Sequence, residues 1–114
     1  MLPQKFSFEI FKENENKKWL KHLIQQLNKD LHLTGIDFEF HKDVSPQDLY
    51  IGLQKLLFEL INKDFRAYVN LLYRVDVSEK QLKDIQEIEV ESVSNKVAIL
   101  ILRKEWQKLY FRSL

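Results

Sequence analysis

The chain is most constrained by its last twenty residues, where one helical segment changes character partway along. Val97-Ala98-Ile99-Leu100-Ile101-Leu102 is apolar throughout, whereas Arg103 to Arg112 keeps Trp106, Leu109 and Tyr110 on one face and sets Lys104, Lys108 and Arg112 elsewhere. At about 100° per residue, Ala98, Ile99, Leu102, Trp106, Leu109 and Tyr110 share one stripe, and Val97, Leu100 and Ile101 add a second apolar side to the first turns only. A helix apolar on all sides has to be surrounded by other elements. The segment therefore predicts the central rod of a small helical domain, with a basic, aromatic end emerging toward solvent.

A length of 114 residues fits one domain, residues 1–114, large enough to bury a core without staples. Eighteen basic residues against seventeen acidic ones leave a net charge of +1, so the chain has no global field of the kind a dedicated nucleic-acid binder carries. There is no cysteine, which removes disulfide and thiolate chemistry and favours a reducing compartment. The N-terminal residues Met1 to Lys5 lack the apolar stretch of a signal peptide, and no apolar run approaches the ~20 residues of a membrane helix. A cytoplasmic protein without membrane contact is expected. Glycine is confined to Gly35 and Gly52, too little to build phosphate-cradling loops, and no cofactor is expected.

Phe6 to Ile10 and Ile36 to Phe40 alternate apolar and polar residues, the period of a half-buried strand, and could pair as a ribbon. Between them, Asn16 to Leu33 predicts an amphipathic helix with Leu20, Ile24, Leu27 and Leu31 on its seam and Gly35 at its C-cap. Ser45-Pro46-Gln47-Asp48 opens a second helix with a capping hydroxyl, a proline in the first position and an acidic residue in the first turn. Its stripe, Leu49, Leu53, Leu56, Leu57, Leu60 and Ile61, slips against that of Phe65, Tyr68, Val69, Leu72 and Val75, which predicts a break near residues 62–64. Ser78-Glu79-Lys80-Gln81 is a further capping box, and Ser92, Ser94 or Asn95 could cap the last helix. Gly52, Ala67 and Ala98, the rare small residues placed within helices, are expected at close helix crossings.

The candidate constellations favour plain readings. His22, His32 and His41 have neither helical zinc-site nor finger spacing, and no metal ligand is assigned. Asp84, Glu87, Glu89 and Glu91 gather carboxylates in the stretch 84–91, but without an EF-hand's glycine and ligand spacing. Negative charge ahead of a helix N-terminus is itself favourable, so no ion is needed to explain them. Arg74 is expected to pair with Asp76 or Glu79, and no nucleophile, base and orienter can be assembled around it. Basic residues near aromatics, namely Lys17, Lys18 and Lys21 at one end and Arg103, Lys104, Lys108 and Arg112 at the other, are the only nucleic-acid candidates. Without a basic excess they read as solvated helix faces.

Ile51 and Phe58 lie seven residues apart on the side of the second helix opposite its main stripe. They are covered by Phe38 and Phe40, or else they form an exposed apolar patch. With Tyr110 and Phe111 they are the candidate partner surface.

Leu72-Tyr73-Arg74-Val75-Asp76-Val77-Ser78-Glu79, followed by Ala98, Ile101, Leu102 and Arg103-Lys104-Glu105-Trp106-Gln107-Lys108, resembles a pattern in small uncharacterised bacterial helical proteins. The resemblance covers the last third of the chain. It implies a bacterial, cytosolic, self-contained helical unit and brings no activity or site residues with it.

The expected fold is mainly α, a compact bundle of four to five helices to which the two alternating segments could add a ribbon. The expected function is a non-enzymatic interaction or regulatory module that binds a protein partner or a second copy of itself. A nucleic-acid-associated protein using the basic termini is the first alternative, and a small enzyme the second.

Overall fold

A computed structural model describes residues 14–113 as five helices: α1 Asn14–Leu33, α2 Pro46–Lys63, α3 Phe65–Val75, α4 Glu79–Lys83 and α5 Val90–Arg112. The mainly helical architecture expected from the sequence is what forms. α5 packs most extensively on α2 and also touches α1 and α3, so it is the central rod. Val97, Ala98, Ile101 and Leu102 are wholly buried in its middle turns.

The helix ends follow local chemistry. Gly35, in the left-handed region at φ 77°, ends α1, and the Ile36 N–H donates back to the Leu31 carbonyl at 3.0 Å. Ser45 Oγ accepts from the Asp48 N–H at 3.1 Å to start α2 on Pro46. The break foreseen at 62–64 is a single residue: the Asp64 N–H closes α2 on the Leu60 carbonyl at 2.8 Å, and its Oδ1 accepts from the Ala67 N–H to open α3. Ser78 Oγ accepts from the Gln81 N–H at 3.4 Å, capping α4.

Four expectations need correction. α5 begins at Val90 after Glu89, with no side-chain cap; Ser92, Ser94 and Asn95 lie inside it, and Ser94 is buried with its Oγ donating to the Val90 carbonyl. A helix start left in solvent needs no capping side chain. The C-terminal half of α5 does not emerge, because α1 covers it: Trp106 and Leu109 are buried, and Trp19 meets Trp106 edge-on with ring centroids 5.4 Å apart. Exposure begins only at Phe111. Phe65, placed on the α3 stripe by its spacing, is 58% exposed: it is the first residue of α3 after the Asp64 break, and its ring lies against Tyr68 of the same helix.

The fourth concerns the ribbon. Among the described residues there is no strand, and Phe6 to Ile10 lie outside them. Ile36 to Phe40 runs as an irregular connector whose Ile36 and Phe40 are buried. The pairing partner of Phe40 is a side chain rather than a strand: the Phe40 N–H donates to Asn28 Oδ1 at 2.8 Å, and Asn28 Nδ2 donates to the Phe40 carbonyl at 2.9 Å. The Phe40 ring then lies over Gly52, where a Cβ would come within 2.8 Å of Cε1. Gly52 thus marks a close approach by an aromatic ring, while Ala98 is wholly buried on α5 and Ala67 is half-buried.

Candidate functional site

Two features stand out, at opposite ends of α5. The first is a polar network under the C-terminal half of α5. Glu105 falls four residues after Ile101, on the helix's inner side, and is completely buried. Asp30, on the inner side of α1 beside Leu31, is 3% exposed. Lys108 Nζ bridges them, 2.7 Å from Glu105 Oε1 and 3.2 Å from Asp30 Oδ2. Arg74 Nε donates to Asp30 Oδ1 at 3.0 Å, and Gln26 Nε2 donates to the Glu105 carbonyl at 3.0 Å. Arg74 is therefore paired across the bundle; Asp76, 85% exposed at the left-handed end of α3, lies instead 4.0 Å from Lys104. Three helices are tied by this one cluster.

Burial pushes the Glu105 carboxyl up to about 8, and a hydrogen bond to Asp30 adds to the rise while Lys108 opposes it. A second carboxylate nearby in a dry site makes ionising Glu105 costlier still, which favours its protonated form. Glu105 Oε2 is buried with no hydrogen-bond partner, so a full negative charge there would go uncompensated. The network forms one wall of an open depression of about 570 Å³ between α1, α3 and the end of α5, lined among others by His22, Lys29, Arg74, Lys108 and Arg112.

The second feature is apolar. Ile51 and Phe58 are 36% and 40% exposed, so Phe38 and Phe40 do not cover them fully; they line a groove closed on its far side by Glu91 and Ser94 of α5. A second groove of about 360 Å³, lined by Phe65, Tyr68, Leu72 and Tyr73 of α3 and by Leu82 and Ile85, borders α5 at Val93 and Val97. Both grooves flank the first turns of α5, and Ile88, 95% exposed, stands just ahead of it. Ile51 and Phe58 in one groove, Phe65 and Tyr73 in the other, and Ile88 ahead of the helix make a two-part apolar belt at that end. Tyr110 and Phe111, stacked edge-on on each other, are some 25 Å further along the helix by its rise per residue and are not part of the belt.

The basic candidates are dispersed. Lys17, Lys18 and Lys21 are exposed near the start of α1; Arg103 and Lys104 line a separate depression with Ser78 and Gln81; Lys108 is engaged by Asp30 and Glu105; Arg112 borders the network. Of the acidic stretch, Glu87 pairs with Lys96, which with its backbone contacts holds its carboxyl below the usual range. His41 Nδ1 accepts from the Asp43 N–H at 3.1 Å. Among the described residues no three metal-ligating side chains converge, and no helix is long and apolar enough to cross a membrane.

The polar network was visible to periodicity, since Asp30 and Glu105 both fall on buried faces, but charge alone argues for solvent and hides such residues. In comparisons with known proteins, no family model, no curated protein and no solved structure matches this chain.

Proposed function

We propose that the chain is a non-enzymatic, cytoplasmic interaction module that engages a protein partner, a second copy of itself included, through the apolar belt around the N-terminal end of α5. The observation that supports this reading is the gathering of Ile51, Phe58, Phe65, Tyr73 and Ile88 on one end of a bundle whose core is already complete without them. Apolar surface left in water forgoes about 25 cal/mol per Å², and covering both grooves with one partner would recover it.

Light scattering on the purified chain, with cross-linking from cysteines placed at Gln54 and Lys55, tests the reading. The expected result is a mass above the monomer, or a protein cross-linked at those positions, with both lost in Phe58→Glu while the far-UV circular dichroism is unchanged. A monomer that cross-links to nothing, or a Phe58→Glu chain that unfolds, overturns it.

A further inference from the structure

We infer that the depression between α1, α3 and the end of α5 is a binding site for the phosphate group of a small phosphorylated molecule. Lys29 from α1, Arg74 from α3, and Lys108 and Arg112 from α5 converge on it, facing a single acidic wall residue, Asp30. The chain as a whole carries only +1, so this is a local concentration of positive charge in a nearly neutral protein.

Asp30 is occupied as a structural anchor: Oδ1 accepts from Arg74 and Oδ2 from Lys108, which fixes two of the cations in place. Arg74 uses only its Nε for this, leaving the Nη donors of its guanidinium to address a ligand, and the arginine is about half exposed. Lys108 keeps one N–H beyond its bonds to Asp30 and Glu105. The second buried acid, Glu105, adds little negative charge while it holds its proton. Donors approaching from three helices suit a tetrahedral oxyanion better than a planar carboxylate, which a single arginine fork satisfies. A space of about 570 Å³ leaves room for the organic part of the ligand beside Gln25 and His22.

Sulfate is the first probe, because it stays a dianion throughout the working pH range; malonate, at a pH where both of its planar carboxylate groups are ionised, serves as the comparison dianion. Titrations of the intact chain at constant ionic strength, followed by NMR of backbone amides and arginine side chains, should show saturable sulfate shifts at Arg74, Lys108 and Arg112, with malonate weaker. The pair Lys29→Gln with Arg112→Gln should weaken sulfate at least tenfold, while Lys17→Gln with Lys55→Gln, the same loss of charge elsewhere, should change it less than twofold. All four positions are exposed, so folding is not at issue. Shifts that track ionic strength without saturating, equal losses in the two double variants, or malonate binding as tightly as sulfate would each overturn the assignment.

Discussion

Asn28 holds Phe40 by both of its backbone polar groups, accepting from its N–H at 2.8 Å and donating to its carbonyl at 2.9 Å. One amide side chain thereby does for the 36–45 connector what a neighbouring strand would do for an edge. Asn28→Ala should cost about 2–4 kcal/mol, two hydrogen bonds plus the penalty of half-buried groups left unpaired. Asn28→Asp, which keeps the acceptor and sets an oxygen against the Phe40 carbonyl, should recover only part of that. Urea unfolding of both variants measures it; an alanine variant within 0.5 kcal/mol of wild type (about the spread of a surface substitution) would mean the clamp contributes nothing.

Gly52 reads as a weak point in a helix, and alanine there would ordinarily gain about 1 kcal/mol. Here the new methyl would lie 2.8 Å from the ring of Phe40, a buried residue whose backbone Asn28 holds in place, so the ring has to turn within the core to make room. Gly52→Ala should therefore destabilise by about 1–3 kcal/mol. In a Phe40→Ala background the same change should stabilise. A double-mutant cycle that shows no reversal of sign removes the ring as the cause.

The proton on Glu105 sets a pH dependence. Its folded value, about 8, lies above the ordinary 4.5, so between those limits the folded chain binds more proton than the unfolded one. Stability is then full below about pH 4.5 and declines as pH rises toward 8, by at most ~1.4 kcal/mol per pH unit from this group. Glu105→Gln mimics the protonated form and should flatten that decline, becoming more stable than wild type at pH 9. Thermal melts of the two chains at pH 5, 7 and 9 decide it; parallel curves would show that Glu105 is ionised in the native state.

The two serine caps should differ. Ser45→Ala should cost about 1 kcal/mol, since it opens an eighteen-residue helix through a 3.1 Å bond. Ser78→Ala should cost less, because its bond is 3.4 Å and the helix it opens has five residues, none buried. Denaturation midpoints give the order, and a larger loss at Ser78 would contradict it.

Much of the bundle was legible because its signals are local. Ser45-Pro46 and Ser78-Glu79 announce helix starts by side-chain chemistry, Gly35 a helix end by backbone freedom, and the slip between the Leu49 and Phe65 stripes locates Asp64 to within a residue or two. What was hidden depends on partners distant in sequence. Arg74 has two acids within five residues, yet its partner is Asp30, 44 residues away. Asn28 and Phe40 meet only because Gly35 reverses the chain, and no composition or period encodes that meeting. Ile51 and Phe58 were legible as a second apolar side of α2, whereas Tyr73 and Ile88 join them only once α3 and the 85–89 connector are placed in space.

The absence of any buried residue in α4 has a consequence for how the molecule breathes. A segment anchored by the half-buried Leu82 and Ile85 and by the Lys96–Glu87 ion pair can detach at a fraction of the free energy that global unfolding requires. Among the described residues, 79–89 should therefore open early, and their amides should exchange with solvent well ahead of those in α2 or the middle of α5. Val77, Val93 and Val97 share a groove with Leu82 and Ile85, so such an excursion would widen it beside Phe65 and Tyr73 and offer a partner more apolar area than the closed chain does.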